Sequence, residues 1–184
     1  MPKATGKDYD TTKILEEMRN QYWQGLAEEE EEEKGESIQL ITFRIANESY
    51  GIETSYTKEV LKIPKIVRVP HTPKWVLGVI NLRGSIVSVI DLRILFGLVV
   101  SELGSNARII TLSAGEIYTG IVVESVIDIV NLPKEDIQPA LDTLGGIEKD
   151  FIRGQVPQEK GLLILLDIEA ILKSREMEES HEKG

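Results

Sequence analysis

Cysteine is absent from the 184 residues. Disulfides, thiolate zinc sites, iron–sulfur clusters and cysteine nucleophiles are therefore excluded, and a reducing compartment fits. Histidine occurs only as His71 and His181, which leaves no His-rich metal site. Aromatics are scarce, at 5%, so Ile, Leu and Val must fill a core. Long apolar runs are missing as well. Gly161–Leu166 is typical of the longest, far short of the roughly 20 residues that cross a bilayer. No apolar signal segment opens the chain. A soluble, cytoplasmic protein is expected, without direct membrane insertion. Positive charge is outnumbered, 21 Lys and Arg against 31 Asp and Glu. A general nucleic-acid binder carries a basic footprint, so nucleic acid is not an expected partner.

What is present is an ordinary globular composition, 41% hydrophobic, enough for one compact domain or two small halves sharing a core. Three zones follow from texture. Residues 1–37 form an acidic N-terminal extension, 38–172 the folded domain, and 173–184 a helix end and tail. In the extension, Thr12 caps a predicted helix starting near Lys13, with Ile14, Met18 and Tyr22 on one stripe beside Leu15 and Leu26. Six glutamates, Glu28–Glu33, follow; a like-charge block of this kind is usually solvated. Tyr22 and Trp23 either dock on a partner or belong to a frayed helix packed on its own domain.

From Ile38 the pattern is β. Strands are predicted at Gln39–Ile45, Tyr50–Ile52, Val76–Leu82, Ser85–Leu92, Ala107–Leu112, Tyr118–Val123 and Leu162–Leu166. Turns are expected at Asn47–Ser49, Arg83–Gly84 and Ala114–Gly115. Many short strands with glycine turns indicate an all-β barrel or sandwich with short helices. The core also repeats. Sliding Ile41–Pro70 by 69 positions onto Ile110–Pro139 gives seven identities in 30, among them Gly51 on Gly120 and Pro64-Lys65 on Pro133-Lys134. At an offset of 76, Gly78 meets Gly154 and Asp91 meets Asp167. Each half then reads hairpin, connector, Gly, strand, Asp-capped short helix, which predicts two similar β subdomains packed together.

Candidates for chemistry are few. Asp91 and Asp167 end apolar strands but precede helical patterns, where an Asp satisfies the free N–H groups of a first turn. Their equivalent places in the repeat favour that structural role. His71 sits in a connector between Pro70 and Pro73, without the spacing of a catalytic triad. No phosphate-cradling motif occurs. Binding signals are stronger. Lys62, Lys65, Arg68, Lys74, Arg83 and Arg93 face only Asp91 between residues 62 and 93, a local +5 in a chain of −10. Such a band either attracts an acidic protein surface or protects strand edges. Arg83, on a tight turn, can present its planar fork to a carboxylate.

Gly78-Val-Ile-Asn-Leu-Arg-Gly84, continuing through Ile86-Val-Ser-Val-Ile-Asp-Leu-Arg93, resembles the signature of the CheW family of chemotaxis adaptors. Tyr50-Gly-Ile-Glu53, Lys58-Glu-Val60, Gly120-Ile-Val-Val123 and Leu163–Ile168 fit as well, so the likeness spans about Ile38–Lys173. It implies two intertwined, five-stranded SH3-like β barrels sharing a hydrophobic core, no catalysis and no cofactor. It also implies an adaptor that couples chemoreceptor cytoplasmic tips to the regulatory domain of the histidine kinase CheA, recruited to membrane receptor arrays. At 184 residues, the kinase itself and the receiver-bearing CheV type are not expected. Carried over by position, receptor contact falls on Thr57, Glu59, Gly78, Arg83 and Ile129, in a groove between the barrels. Gly78 would permit close approach. Kinase contact falls on Ile63, Ile66 and Val67, with core packing as the alternative role. Thr57 departs from a Val-like family position and Ser88 from a frequent proline. A ligand-sensing module, an enzyme assembled by folding and an adaptor for a non-motility pathway are the competing readings.

Overall fold

The computed structural model describes residues 16–24, 35–140, 147 and 149–181. The chain divides into two units, Met1–Glu36 and Ser37–Gly184. In the first, residues 16–24 form helix α1, and Met18, Tyr22 and Trp23 are exposed. The Tyr22 and Trp23 rings meet edge to face at 6.1 Å. Thr12, Ile14, Leu15, Leu26 and the glutamate run lie outside the described residues.

The second unit holds ten strands: β1 (Ser37–Ile45), β2 (Glu48–Glu53), β3 (Thr57–Lys62), β4 (Val76–Leu82), β5 (Ser85–Asp91), β6 (Arg108–Ala114), β7 (Ile117–Val123), β8 (Ser125–Pro133), β9 (Ile152–Gln158) and β10 (Gly161–Leu166). Helix α2 (Leu92–Leu95) follows β5 and α3 (Ile168–His181) follows β10. The strands make two five-stranded sheets, sheet A in the order β8-β1-β2-β10-β9 and sheet B in the order β3-β6-β7-β5-β4. These are the two barrels that the resemblance implies. Under the repeat offsets the two orders are the same, and neither sheet is one sequence half: each takes two strands from one half and three from the other. The registers repeat too. Ile41 opposes Ile52 in sheet A and Ile110 opposes Ile121 in sheet B, 69 residues on.

Strands β3, β8 and β9 are not among the strands expected from the sequence, and β3 and β8 fall in its connectors. Each has a reason to hide. Strand β3 alternates half-buried and exposed residues through Lys58, Glu59 and Lys62. Strand β8 exposes Ile127, Asp128 and Ile129. Strand β9 contains a glycine and a proline. All three are sheet edges or end strands, where polar residues block unwanted pairing. The first hairpin turn also shifts, to Ala46–Asn47, both with positive φ, a geometry that matches the right-handed twist of the strands it joins.

The core is layered by the period-2 alternation of strands. Ile41, Phe43 and Ile45 of β1 join a large shared cluster with Ile90, Ile110, Leu112, Ile121, Ile164 and Leu166. Just before them, Leu40 turns the other way, onto Leu163 and Leu165 within sheet A. Sheet B has its own small cluster of Ile80, Val87, Val89, Ile109 and Val122. Strands buried on both faces read as near-continuous apolar runs, which explains the sequences around β5, β6 and β10.

Candidate functional site

Arg83 and Gly84 form the two-residue turn between β4 and β5, with φ of 52° and 90°. Asn81 Oδ1 locks the turn by accepting from the Gly84 N–H at 2.8 Å. Arg83 is thereby lifted off the sheet, with its side chain 82% exposed. Its Nη2 donates to Glu59 Oε2 at 3.1 Å, so two candidate residues 24 positions apart meet. Glu59 is held by its backbone. At a bulge in β3, buried Thr111 of β6 accepts from the Glu59 N–H at 3.1 Å and donates to its carbonyl at 3.2 Å. Thr57 starts the same strand, and its buried hydroxyl has no hydrogen-bond partner among the described residues.

The other sheet repeats the clasp. Thr42 donates to the Asp128 carbonyl at 3.0 Å and accepts from its N–H at 3.2 Å, again at a bulge. Asp128 is the repeat mate of Glu59, but its carboxylate turns onto the Ile129 N–H at 2.7 Å. Ile129, 56% exposed, stands on edge strand β8. Among the described residues, no hydrogen bond or ion pair ties β8 to the Arg83–Glu59 pair.

The residues matched to kinase contact divide by burial. Ile63 and Ile66 are half-buried and pack on the small cluster of sheet B, whereas Val67 is 55% exposed. Val67 bridges Val79 of β4 in both directions, at 2.9 and 2.8 Å. Gly78, buried beside it, allows a close approach, and what approaches is the Val67 backbone.

The basic band is smaller than its sequence. Arg93 is 3% exposed. It grips Asp91 through Nε at 3.0 Å and Nη2 at 2.7 Å, donates to the Ser101 carbonyl at 2.9 Å and reaches Glu124 at 3.3 Å. The Asp91 hydrogen bond raises the Arg93 pKa further. Lys62, Lys65, Arg68 and Lys74 remain exposed, without an ion pair among the described residues. This buried network was missed because Asp-x-Arg after a strand reads as a cap beside a surface cation. The i, i+2 spacing on an apolar flank was the available signal.

Both aspartates cap helices. Asp91 Oδ1 accepts from the Arg93 N–H at 2.9 Å and Asp167 Oδ1 from the Ala170 N–H at 2.9 Å. Asp91 is 2% exposed and engaged, so it faces no substrate. His71 is an exposed loop residue with φ of 60°. No cluster of metal-ligating side chains occurs among the described residues, and no helix there is long and apolar enough to cross a membrane. A recess of ≈ 340 Å³ lies between Arg68, Thr72, Lys74, Val76, Leu77 and Ile94. Another, of ≈ 260 Å³, includes Glu53, Tyr56, Arg153 and Glu169. There Arg153 pairs with Glu53, and Tyr56 Oη donates to Glu169 at 2.9 Å, a bond that lowers the Glu169 pKa.

Comparison with known proteins adds a family to this geometry. A family model described as "CheW-like domain" matches residues 39–176. The chain is 35% identical over 145 residues to a chemotaxis protein CheW of Klebsiella aerogenes, covering 78% of this chain and 87% of that one. It is 30% identical over 159 residues to the chemotaxis protein CheW of Helicobacter pylori, covering 86% and 96%. A crystal structure of the scaffolding protein TtCheW from Thermoanaerobacter tengcongensis superposes with a TM-score of 0.67 at 28% identity, covering 72% of this chain and 86% of that one.

Proposed function

The chain belongs to the CheW-like family, and from that premise we propose that it is a non-enzymatic, cytoplasmic adaptor coupling chemoreceptor cytoplasmic tips to the regulatory domain of CheA. The observation that carries the reading is Arg83: raised on a locked turn, 82% exposed, and braced by Glu59 through one nitrogen. Its remaining donors, unpaired among the described residues, can take a carboxylate on a receptor hairpin. An exposed ion pair of this kind contributes roughly 0–1 kcal/mol, so exchanging Glu59 for a partner's carboxylate costs little. Thr57 on the same strand and Ile129 on β8 extend the receptor surface, and Gly78 supports it from within β4. Ile63, Ile66 and Val67 form the second surface, toward the kinase. Holding both partners changes kinase activity only if the adaptor binds its active and inactive states unequally. No cofactor enters the reading.

Titrating Arg83→Glu with a receptor cytoplasmic fragment tests this assignment. The expected result is at least about a tenfold loss of affinity with an unchanged melting transition. Unchanged receptor binding would remove Arg83 from the site.

A further inference from the structure

Helix α1 precedes the family match, which begins at residue 39, so no role carried over from the family reaches it. Its described length is nine residues. A helix that short draws its stability in water chiefly from packing an apolar face. Yet Met18, Tyr22 and Trp23 are 61%, 65% and 63% exposed. Met18 and Tyr22 stand one turn apart on one face, and the Trp23 ring meets Tyr22 edge to face. Tyrosine and tryptophan are the side chains that most often anchor an interface, and a helix presenting anchors one turn apart is the form that lies in an apolar groove.

Charge specifies the groove. From Glu16 to Glu36 the chain carries nine acidic and two basic residues, a net of −7. That sign repels an anionic bilayer, a nucleic acid and a second leader alike. One stretch of the folded unit has the opposite character. From Val60 to Ile90 there are five Lys and Arg and no acidic residue. Arg83 is engaged by Glu59, whereas Lys62, Lys65, Arg68 and Lys74 are exposed, as are Val67 and Val69. Arg68 and Lys74 border one recess with Val69, Val76 and Leu77, so apolar surface lies between the cations. Six of the twelve residues between Gln24 and Ser37 are consecutive glutamates. A like-charged tether repels itself, which favours a face on another molecule.

We propose that α1 is a docking helix whose partner is a second copy of this chain. Met18, Tyr22 and Trp23 of one copy take the apolar surface at Val67 and Val69 of the next, and the flanking glutamates meet Arg68 and Lys74. The contact is heterologous: each copy offers one leader and one face, and copies join head to tail. Charge orients the encounter, and salt weakens it. The proposal stands apart from the adaptor reading and neither requires the other.

Sedimentation velocity of the full chain over a concentration series, at low and high salt, tests it. Four samples are compared: wild type, a leader variant (Tyr22→Ser with Trp23→Ser), a face variant (Arg68→Glu with Lys74→Glu), and an equal mixture of the two variants. Wild type is expected to grow beyond a monomer as concentration rises, with at least about tenfold weaker association in high salt. Each variant alone is expected to stay monomeric with an unchanged melting transition, since all four substituted residues are exposed. The mixture is expected to form a pair and nothing larger, because the intact face of one variant meets the intact leader of the other. A wild type or a mixture that stays monomeric throughout overturns the proposal. So does a variant that associates alone as wild type does, or an association that salt leaves unmoved.

Discussion

Arg83 and Arg93 sit ten positions apart in one run of cations, and only their surroundings separate them. Arg83 follows a strand into a turn whose positive φ values throw it into solvent. Arg93 follows a strand into a helix and folds back onto the aspartate two residues earlier. The sequence revealed the first role through the Arg-Gly turn. It concealed the second, because burial of a charge depends on Glu124 and the Ser101 carbonyl arriving from distant segments. Tyr50 is a further buried group with a readable consequence. It is fully buried, and its hydroxyl donates to Glu48 Oε2 at 2.8 Å. Burial first, and the Glu48 carboxylate second, raise its pKa above the ordinary tyrosine value. A raised acid contributes its full stability below its unfolded pKa, about 10, and loses it as pH climbs past that value. The wild-type melting temperature should therefore fall more steeply above about pH 10 than that of Tyr50→Phe, which keeps the ring and deletes the ionisation. At neutral pH the substitution should cost about 1 kcal/mol, one hydrogen bond. Thermal melts across the alkaline range check both.

Elements were legible where one face is apolar and a turn residue marks the end. Strands β4 and β5 were read nearly to the residue, because Arg83-Gly84 punctuates two apolar runs. Edge strands β3 and β8 were not, because exposed Lys58, Asp128 and Ile129 interrupt the pattern and their pairing comes from across the sheet. The capping aspartates were legible from their repeat positions, yet they are not equal. Asp167 caps α3 and little else, so Asp167→Ala should cost about 1 kcal/mol. Asp91 also neutralises buried Arg93, and its loss leaves a cation in the interior; Asp91→Ala should cost about 3–5 kcal/mol. Urea denaturation of the two variants compares them directly. Equal losses would mean that the Arg93 pair contributes nothing beyond the cap.

At the scale of the molecule, the internal repeat was visible as two offsets, and its registers hold in the structure. The exchange of strands between the halves was not visible from the repeat. A repeat states which segments are alike, and hydrogen bonding decides which copy each one pairs with. Interleaving has a physical consequence: unfolding one sheet strips strands from both sequence halves, so the core should melt as one cooperative unit. It also sets the candidate receptor and kinase surfaces on one scaffold. Arg83 stands at the turn after β4, and Val67 is bridged to the middle of that same strand. In the adaptor proposed above, these surfaces hold two partners at once. Sedimentation velocity of this chain mixed with a CheA regulatory-domain fragment and a receptor cytoplasmic fragment tests it most directly. One species containing all three is expected, replaced in Arg83→Glu by a kinase-bound pair and free receptor fragment. A wild type that releases one partner on binding the other would contradict it.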